Sequence, residues 1–368
     1  MPGVVTRVLI FCYKEQVAWV KWGNVKSCQF KITNGTRQGA VLSPPLFSLY
    51  LNDLLTELRA LNVGCHMGGR WIGATCYADD LLLLAPTRSA MQAMLKVCES
   101  YAEKHNIAFS THEDPAKSKT KCMYICGDMK RRDFPACLKL NGKSLPFVTT
   151  PTHVGHELSQ DGTTTTDIKI KRAKFIDKSI EIRETFSFAD PIQILQAVNI
   201  YCCDHYGSML WDLYGDMAGQ YYRCWNTCAK LAWNCPRSTH SYFVTCQLAA
   251  DFVSIRTKIL GTYVKFFKTL LNSKCPEVAL VANLVGRDVQ STTGKNIARL
   301  PEETGLNPWV TTPFMIKKLL MENEATVPVE DKWRLPPLEK LILQRYAMEN
   351  QLEDAKHIQA LIDTLCSS

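Results

Sequence analysis

The chain has 368 residues, of which 46% are hydrophobic and 21% are charged, and this composition excludes a disordered polypeptide. A formal net charge of +8 suits a nucleic-acid partner, although many proteins without such a partner carry as much. The sixteen cysteines include no Cys-x-x-Cys pair, no apolar run could span a bilayer and no signal peptide is recognisable. We therefore expect an intracellular protein, of the nucleus or cytoplasm, with free thiols and no membrane contact.

Short elements follow one another from the N-terminus. Residues 4–16 predict a helix, and residues 17–21 with 28–32 predict a hairpin around Gly23-Asn24. A polar turn comes next, in which Arg37 and Gln38 could bond base edges or phosphates and Gly39 would let a nucleotide approach the backbone. An ordinary capped helix over residues 46–58, preceded by two prolines that fit a helix start, explains the same stretch and is favoured when the stretch is taken by itself.

The most informative feature is Tyr77-Ala78-Asp79-Asp80, which lies between the apolar runs 71–76 and 81–85. These runs predict two short buried strands, with Ala78-Asp79-Asp80 as the turn of a hairpin. Adjacent carboxylates repel each other, and burying them between apolar strands costs free energy unless a cation neutralises their charge. Hard oxygen ligands suit Mg²⁺, so the pair could form half of a two-metal site for phosphoryl transfer. A solvated Asp-Asp turn is the alternative.

Helices dominate the remainder of the chain. Residues 89–105 predict a helix that covers the sheet, residues 123–126 a strand and residues 138–145 a hairpin. Three further helices are predicted over residues 168–186, 191–203 and 218–232, and an amphipathic one near residues 352–365. Basic residues cluster in 117–132 and 169–183, which indicates either attraction to phosphates or a solvated charged face. Four aromatic residues could stack on bases or pack between helices: Tyr221, Tyr222, Trp225 and Trp233.

Several of these blocks, in this order, resemble the reverse transcriptases of non-LTR, LINE-like retrotransposons. The block that begins Arg37-Gln38-Gly39 and the Tyr77–Asp80 motif resemble palm motifs of that family. The stretch 106–123, which carries Lys117 and Lys119, is similar to the lysine-bearing motif that follows the Asp pair. Residues 153–158 resemble the primer-grip segment, with Val154 in place of the usual Leu, and residues 201–215 and 225–240 resemble the thumb region.

The resemblance implies an α+β fold: a right-hand polymerase palm, with an antiparallel sheet packed by helices, followed by a mainly helical thumb and a C-terminal helical region. It places a partial palm at residues 1–126, a connection with the primer-grip-like segment at 127–160, the thumb at 161–245 and a region of unknown role at 246–368.

The same resemblance implies an RNA-directed DNA polymerase, which is a nucleotidyltransferase, that uses two Mg²⁺ ions. Its partners would be an RNA template, an RNA–DNA or DNA primer duplex and dNTPs. Asp79 is the first candidate for the catalytic metal ligand and Asp80 the second. The candidate nucleotide- and template-binding residues are Arg37, Gln38, Gly39, Tyr77, Lys117 and Lys119, with one of the two lysines acting on the leaving pyrophosphate.

One family feature is missing from the sequence as printed. In this family a further catalytic Asp lies upstream of the Gln-Gly block, but no Asp precedes Asp53 here. We therefore expect a truncated element, a degenerate copy or a partial gene model that is inactive on its own. Two alternatives are a non-enzymatic nucleic-acid-binding protein that uses the basic thumb, and a structural or interaction protein.

Overall fold

The computed structural model describes residues 3–33, 35, 39–112, 114, 117–125, 137–202, 205–239, 241, 254–305, 307–310 and 315. The chain divides into two compact units, one comprising Met1–Lys121 and Pro135–Pro146 and the other Cys122–Phe134 and Phe147–Ser368. Both units contain helices together with short antiparallel strands, and the predicted α+β class is confirmed at this level.

The first unit contains three of the described helices: α1 (Gly3–Lys14), α2 (Ser43–Ala60) and α3 (Arg88–His105). Its strands are β1 (Val17–Ala18), β2 (Lys21–Trp22), β3 (Val25–Lys26), β4 (Phe30–Lys31), β5 (His66–Met67), β6 (Arg70–Trp71), β7 (Ala74–Tyr77), β8 (Asp80–Leu83), β9 (Lys139–Leu140) and β10 (Lys143–Ser144). The strands pair antiparallel as β1 with β4, β2 with β3, β5 with β6, β7 with β8 and β9 with β10. Within the described residues the expected sheet is therefore a set of separate two-stranded ladders.

Helices α2 and α3 form the core of the first unit. Two prolines occupy the first turn of α2, where missing N–H groups are tolerated, and the Thr87 side chain caps α3 by accepting a hydrogen bond from the Ala90 N–H. Leu58 of α2 and Met94 of α3 are fully buried as the helices pack together. Helix α1, in contrast, buries none of its residues, so its predicted helix is confirmed but adds nothing to this core.

The second unit is mainly helical. Its described elements are β11 (Thr152–His153), β12 (His156–Glu157), α4 (Thr165–Thr185), α5 (Pro191–Tyr201), α6 (Asp216–Tyr222), α7 (Cys224–Ala232), α8 (Ile255–Leu271), α9 (Pro276–Arg287) and α10 (Thr292–Thr304). A short 3-10 helix covers Ser208–Leu210, and β11 pairs antiparallel with β12. None of the described helices combines the length and the hydropathy that crossing a bilayer requires.

Three expectations for this unit need correction or refinement. The helix expected over residues 218–232 is interrupted at Arg223, which ends α6 and precedes α7. The strand expected at residues 123–126 is not formed by residues 123–125, and only the neighbouring Cys122 makes an isolated bridge, to Phe147.

Among the aromatic residues, Tyr221, Trp225 and Trp233 are buried in the core, so they pack between helices rather than stack on bases. The predicted helix near residues 352–365 lies outside the described residues.

Candidate functional site

The Asp pair lies at the tip of the β7–β8 hairpin. Tyr77 is directly opposite Asp80 in the ladder, so the turn consists of two residues, Ala78 and Asp79. Ala78 takes a positive φ of 52°, as a two-residue hairpin turn requires. The predicted three-residue turn is thus one residue too long, because Asp80 already pairs as the first residue of β8. The two strands are half-buried rather than buried.

Both carboxylates of the pair point away from the core. Asp79 and Asp80 are exposed, and Tyr77 beside them is 70% exposed. No ion pair engages either Asp within the described part of the chain. Adjacent, uncompensated carboxylates have the chemistry of a divalent-cation site, but the described residues bring no third His, Cys, Asp or Glu to them. Within the described residues the hairpin thus offers two neighbouring carboxylates and no complete ligand set.

Cys76, just inside the turn, is coupled to this charge. Its Sγ donates a hydrogen bond to the Ala78 carbonyl oxygen at 3.0 Å. Burial raises the pKa of the Cys76 thiol, and the negative charges of Asp79 and Asp80 raise it further, because a thiolate there would face two carboxylates. The thiol thus responds to the local field that a bound cation would neutralise.

Of the other predicted site residues, the structure describes Gly39, Lys117 and Lys119. Arg37 and Gln38 lie outside the described residues, and Gly39 is exposed with a φ of 81°. Lys117 is exposed and 4.0 Å from the Asp114 carboxylate, and Lys119 is exposed as well. In the portion of the chain that is described, no hydrogen bond or ion pair links either lysine to Asp79 or Asp80. The assignments of these residues stay predictions.

A buried polar cluster in the second unit was missed by the sequence reasoning. The Asp167 carboxylate on α4 accepts hydrogen bonds from Trp211 Nε1 at 2.7 Å, from Lys171 Nζ at 3.0 Å and from the Glu157 backbone N–H at 3.1 Å. The bond to Glu157 fastens the β11–β12 hairpin, which is the segment that resembles the primer grip, to α4. Asp167 and Lys171 stand four residues apart on a helix, and this spacing is the one signal that the sequence offered.

His156 completes the cluster from the hairpin side. Its Nδ1 lies 2.9 Å from Lys171 Nζ, and its ring stacks on Tyr206 with 5.0 Å between the ring centroids. Burial lowers the pKa of His156, the positive charge of Lys171 lowers it further, and Asp167 partly opposes them. The hairpin turn is also held by Tyr206, whose hydroxyl donates to the Val154 carbonyl oxygen at 3.0 Å. Val154 itself has a φ of 47°, which is rare for a β-branched residue.

The family comparison concerns the segment that carries the Asp pair. Residues 6–136 match the sequence model of the family described as reverse transcriptase (RNA-dependent DNA polymerase). A Pol polyprotein of a type-1 R2 retrotransposable element from Nasonia vitripennis is 30% identical over 131 residues, or 36% of this chain and 12% of the relative. A Pol polyprotein of the type-2 element R2DM from Drosophila melanogaster is 39% identical over 67 residues, which is 18% of this chain and 6% of the relative. For a type-1 R1 element from Bradysia coprophila the identity is 28% over 130 residues, 34% of this chain and 11% of the relative.

The resemblance to a LINE-like reverse transcriptase is confirmed. The matched segment contains the β7–β8 hairpin, Gly39 and both candidate lysines, and it ends before the β11–β12 hairpin. A reverse-transcriptase domain implies a polymerase palm, and this family works with divalent metal ions on nucleic-acid templates. The chain spans about an eighth or less of the length of these curated relatives.

Proposed function

We propose that the chain carries part of a reverse-transcriptase active site, with Asp79 and Asp80 as ligands for Mg²⁺. The observation that supports this most is the two-residue turn: it presents two adjacent carboxylates, without an ion-pair partner in the described chain, inside the segment that matches the family. The reaction would extend the 3′-hydroxyl of a primer, in an RNA–DNA or DNA duplex, with dNTPs on an RNA template.

The proposal gives a role to each candidate site residue. Asp79, within the turn, is free to turn toward a cation, whereas the Asp80 backbone is fixed by the ladder. A bound Mg²⁺ would neutralise charge on the phosphates. The other roles are proposed as follows: Arg37, Gln38 and Gly39 line the template or the nascent base pair, Tyr77 contacts the primer end, and Lys117 or Lys119 stabilises pyrophosphate.

A polypeptide of the printed 368 residues is proposed to bind template and primer without extending the primer. Its sequence contains no Asp ahead of Asp53, so Asp79 and Asp80 would lack the upstream carboxylate that the family places on the metals. Loss of one metal ligand removes several kcal/mol of transition-state stabilisation, on the order of a thousandfold in rate or more. An intracellular setting belongs to the same proposal, since the reverse transcriptases of retrotransposons act inside cells.

Primer extension on an RNA template with Mg²⁺, together with equilibrium binding of the same RNA–DNA duplex, tests this proposal. We expect salt-sensitive duplex binding and no incorporation. Incorporation that Asp79→Ala abolishes would contradict the inactivity of this polypeptide while supporting the role of the Asp pair. Absence of duplex binding at low salt would contradict the proposed function and favour a structural or interaction protein.

A further inference from the structure

A cationic cavity lies in the second unit, between α4, α6 and α7, outside the segment that matches the reverse-transcriptase family. Its volume is about 410 Å³. Three of its lining residues are cations and the others are neutral hydrogen-bonding side chains. The residues that matter to the argument are Arg172, Arg223, Lys230, Gln220, Asn226 and Thr227.

Helical spacing explains why the sequence builds this cavity. Arg223, Asn226, Thr227 and Lys230 follow one another at intervals of three, one and three residues, so they share one face along α7. The opposite face of α7 carries buried core residues such as Trp225, and these fix the orientation of the helix. Packing of α4 against α7 then adds the third cation, Arg172.

The position of Arg172 is supported by its effect on a neighbouring thiol. Burial raises the pKa of Cys224 to about 11, while the charge of Arg172 and its hydrogen bond to the thiol act in the opposite direction. The guanidinium therefore lies against the start of α7 rather than extending away into solvent. Arg172 and Arg223 are exposed and form the accessible side of the cavity, and Lys230 is half-buried, donating to the Arg237 carbonyl oxygen at 3.1 Å.

The charge of the cavity is not balanced by protein. No carboxylate lines it, and none pairs with its three cations among the residues that the structure describes. Another cavity of this unit, of about 420 Å³, differs in that Glu302 lines it together with Arg256 and Arg299. Like charges held together without a counter-charge repel one another, so an anionic ligand would be strongly favoured in the first cavity.

We propose that this cavity binds phosphate groups of a nucleic-acid backbone, which deepens and rests on the nucleic-acid binding in the proposed function. Two guanidinium groups offer bidentate hydrogen bonds to phosphate oxygens, and Lys230 adds a point charge. The amide and hydroxyl groups of Gln220, Asn226 and Thr227 are donors of the kind that contact phosphates and sugars in nucleic-acid complexes. Contacts with phosphates and sugars carry no sequence information, so binding through the cavity would be independent of sequence.

Two triple variants of the full chain, each of which removes three positive charges, test the inference. The cavity variant carries Arg172→Gln, Arg223→Gln and Lys230→Gln. The control variant carries Lys265→Gln, Lys274→Gln and Lys295→Gln, at exposed lysines of the same unit that neither line the cavity nor belong to the basic run 169–183. Binding of an RNA–DNA duplex is measured for both at several salt concentrations, and the thermal unfolding of the wild type and of each variant is followed with and without inorganic phosphate.

We expect the cavity variant to reduce the slope of log K against log salt by about two to three, at roughly 0.9 per phosphate contact, and the control variant by clearly less. Phosphate should raise the unfolding temperature of the wild type and of the control variant but not of the cavity variant.

Equal losses of duplex affinity in both variants would overturn the cavity site while leaving the proposed function intact. Stabilisation by phosphate through the cavity without any duplex binding would overturn the nucleic-acid occupant and assign a small anion instead. Absence of both effects in the wild type would overturn the two proposals together.

Discussion

Cys76 lies next to the two carboxylates of the β7–β8 turn and provides a direct probe of their charge. Burial and both Asp side chains raise the pKa of its thiol, so the reactive thiolate is scarce near neutral pH. Any change that removes negative charge from the turn should therefore make Cys76 react faster. The effect is local, because exposed charges are screened beyond roughly 10 Å at moderate salt.

The double substitution Asp79→Asn/Asp80→Asn should accelerate alkylation of Cys76 by about threefold to tenfold at pH 8, because removal of the two charges lowers the pKa of the thiol and enlarges its thiolate fraction. The rate is measured by mass spectrometry on the peptide that contains Cys76. As a control, Asp53→Asn/Glu57→Gln removes two exposed charges from α2 of the same unit and should leave the rate nearly unchanged. An unchanged rate in the Asp79/Asp80 variant would show that the carboxylates do not act on the turn as described.

His156 makes the second unit sensitive to acid. The pKa of His156 is lowered in the folded state from its ordinary value of 6.5 by burial, then by Lys171, with a smaller effect of His153. As the pH falls through 6.5, the unfolded chain takes up a proton at this residue that the folded chain does not, so the free energy of unfolding decreases. Above 6.5 this contribution is fully present.

His156→Gln should remove that part of the pH dependence. Urea unfolding between pH 5 and pH 8, followed by tryptophan fluorescence, measures it, since Trp211, Trp225 and Trp233 are all buried in this unit. His66→Gln, in the first unit, serves as a matched control. A wild-type stability that does not decrease on acidification, or that decreases as much in His156→Gln, would contradict the placement of His156 against Lys171.

At the scale of elements, the β11–β12 hairpin depends on close packing at Gly207. An added Cβ there would lie 1.8 Å from His156 Cε1 and 2.6 Å from Lys171 Nζ, and Gly207 also has a φ of 82°. A side chain at this position would push the His156 ring away from its partners and release the hairpin from α4. Glycine alone combines a positive φ at low cost with the absence of a Cβ that would contact His156 and Lys171.

Gly207→Ala should therefore destabilise the second unit by about 2–4 kcal/mol, which combines overpacking with the cost of a positive φ. Gly162→Ala is the matched control, because Gly162 has a φ of 70° but nothing within 4 Å of the added atom, and only about 1 kcal/mol is expected. Denaturant unfolding gives both values. Equal effects of the two substitutions would mean that the hairpin does not pack on Gly207.

Elements with local signals were predictable from the sequence, and elements that depend on distant partners were not. Helices α2 and α3 follow from apolar spacing and, for α2, from the two prolines at its start, and the turns at Gly23-Asn24 and Asn141-Gly142 follow from turn chemistry. The bridge of Cys122 to Phe147 was missed because parallel pairing joins distant segments. The break at Arg223 also had no local signal, since no Pro or Gly marks it.

The candidate site shows the same division. Asp79 and Asp80 are adjacent in the sequence, so their pairing at a hairpin tip could be predicted from four residues. The hydrogen bond between Asp167 and Trp211 joins residues 44 positions apart, and nothing in the sequence indicates it. The basic run 169–183 was predicted either to attract phosphates or to form a solvated charged face, but the structure gives its members different surroundings: Lys171 pairs with Asp167, while Arg172 lines the cavity.

For the whole molecule, the family match and the structure support different halves of the account. The match over residues 6–136 supports the reverse-transcriptase ancestry of the segment with the Asp pair. The second unit is connected to nucleic acid by physical argument alone, through its unbalanced cationic cavity. The central claim of the account concerns the matched segment: the tip of the β7–β8 hairpin binds divalent cations.

Binding of Mn²⁺, a spectroscopically visible substitute for Mg²⁺, tests that claim most directly. Electron paramagnetic resonance counts the free ions in titrations of the wild type, of Asp79→Asn/Asp80→Asn and of the control Asp53→Asn/Glu57→Gln. We predict that the wild type and the control bind Mn²⁺ alike and that the Asp79/Asp80 variant binds it at least about tenfold more weakly, a difference of about 1.4 kcal/mol. Equal Mn²⁺ binding by all three proteins would contradict the account.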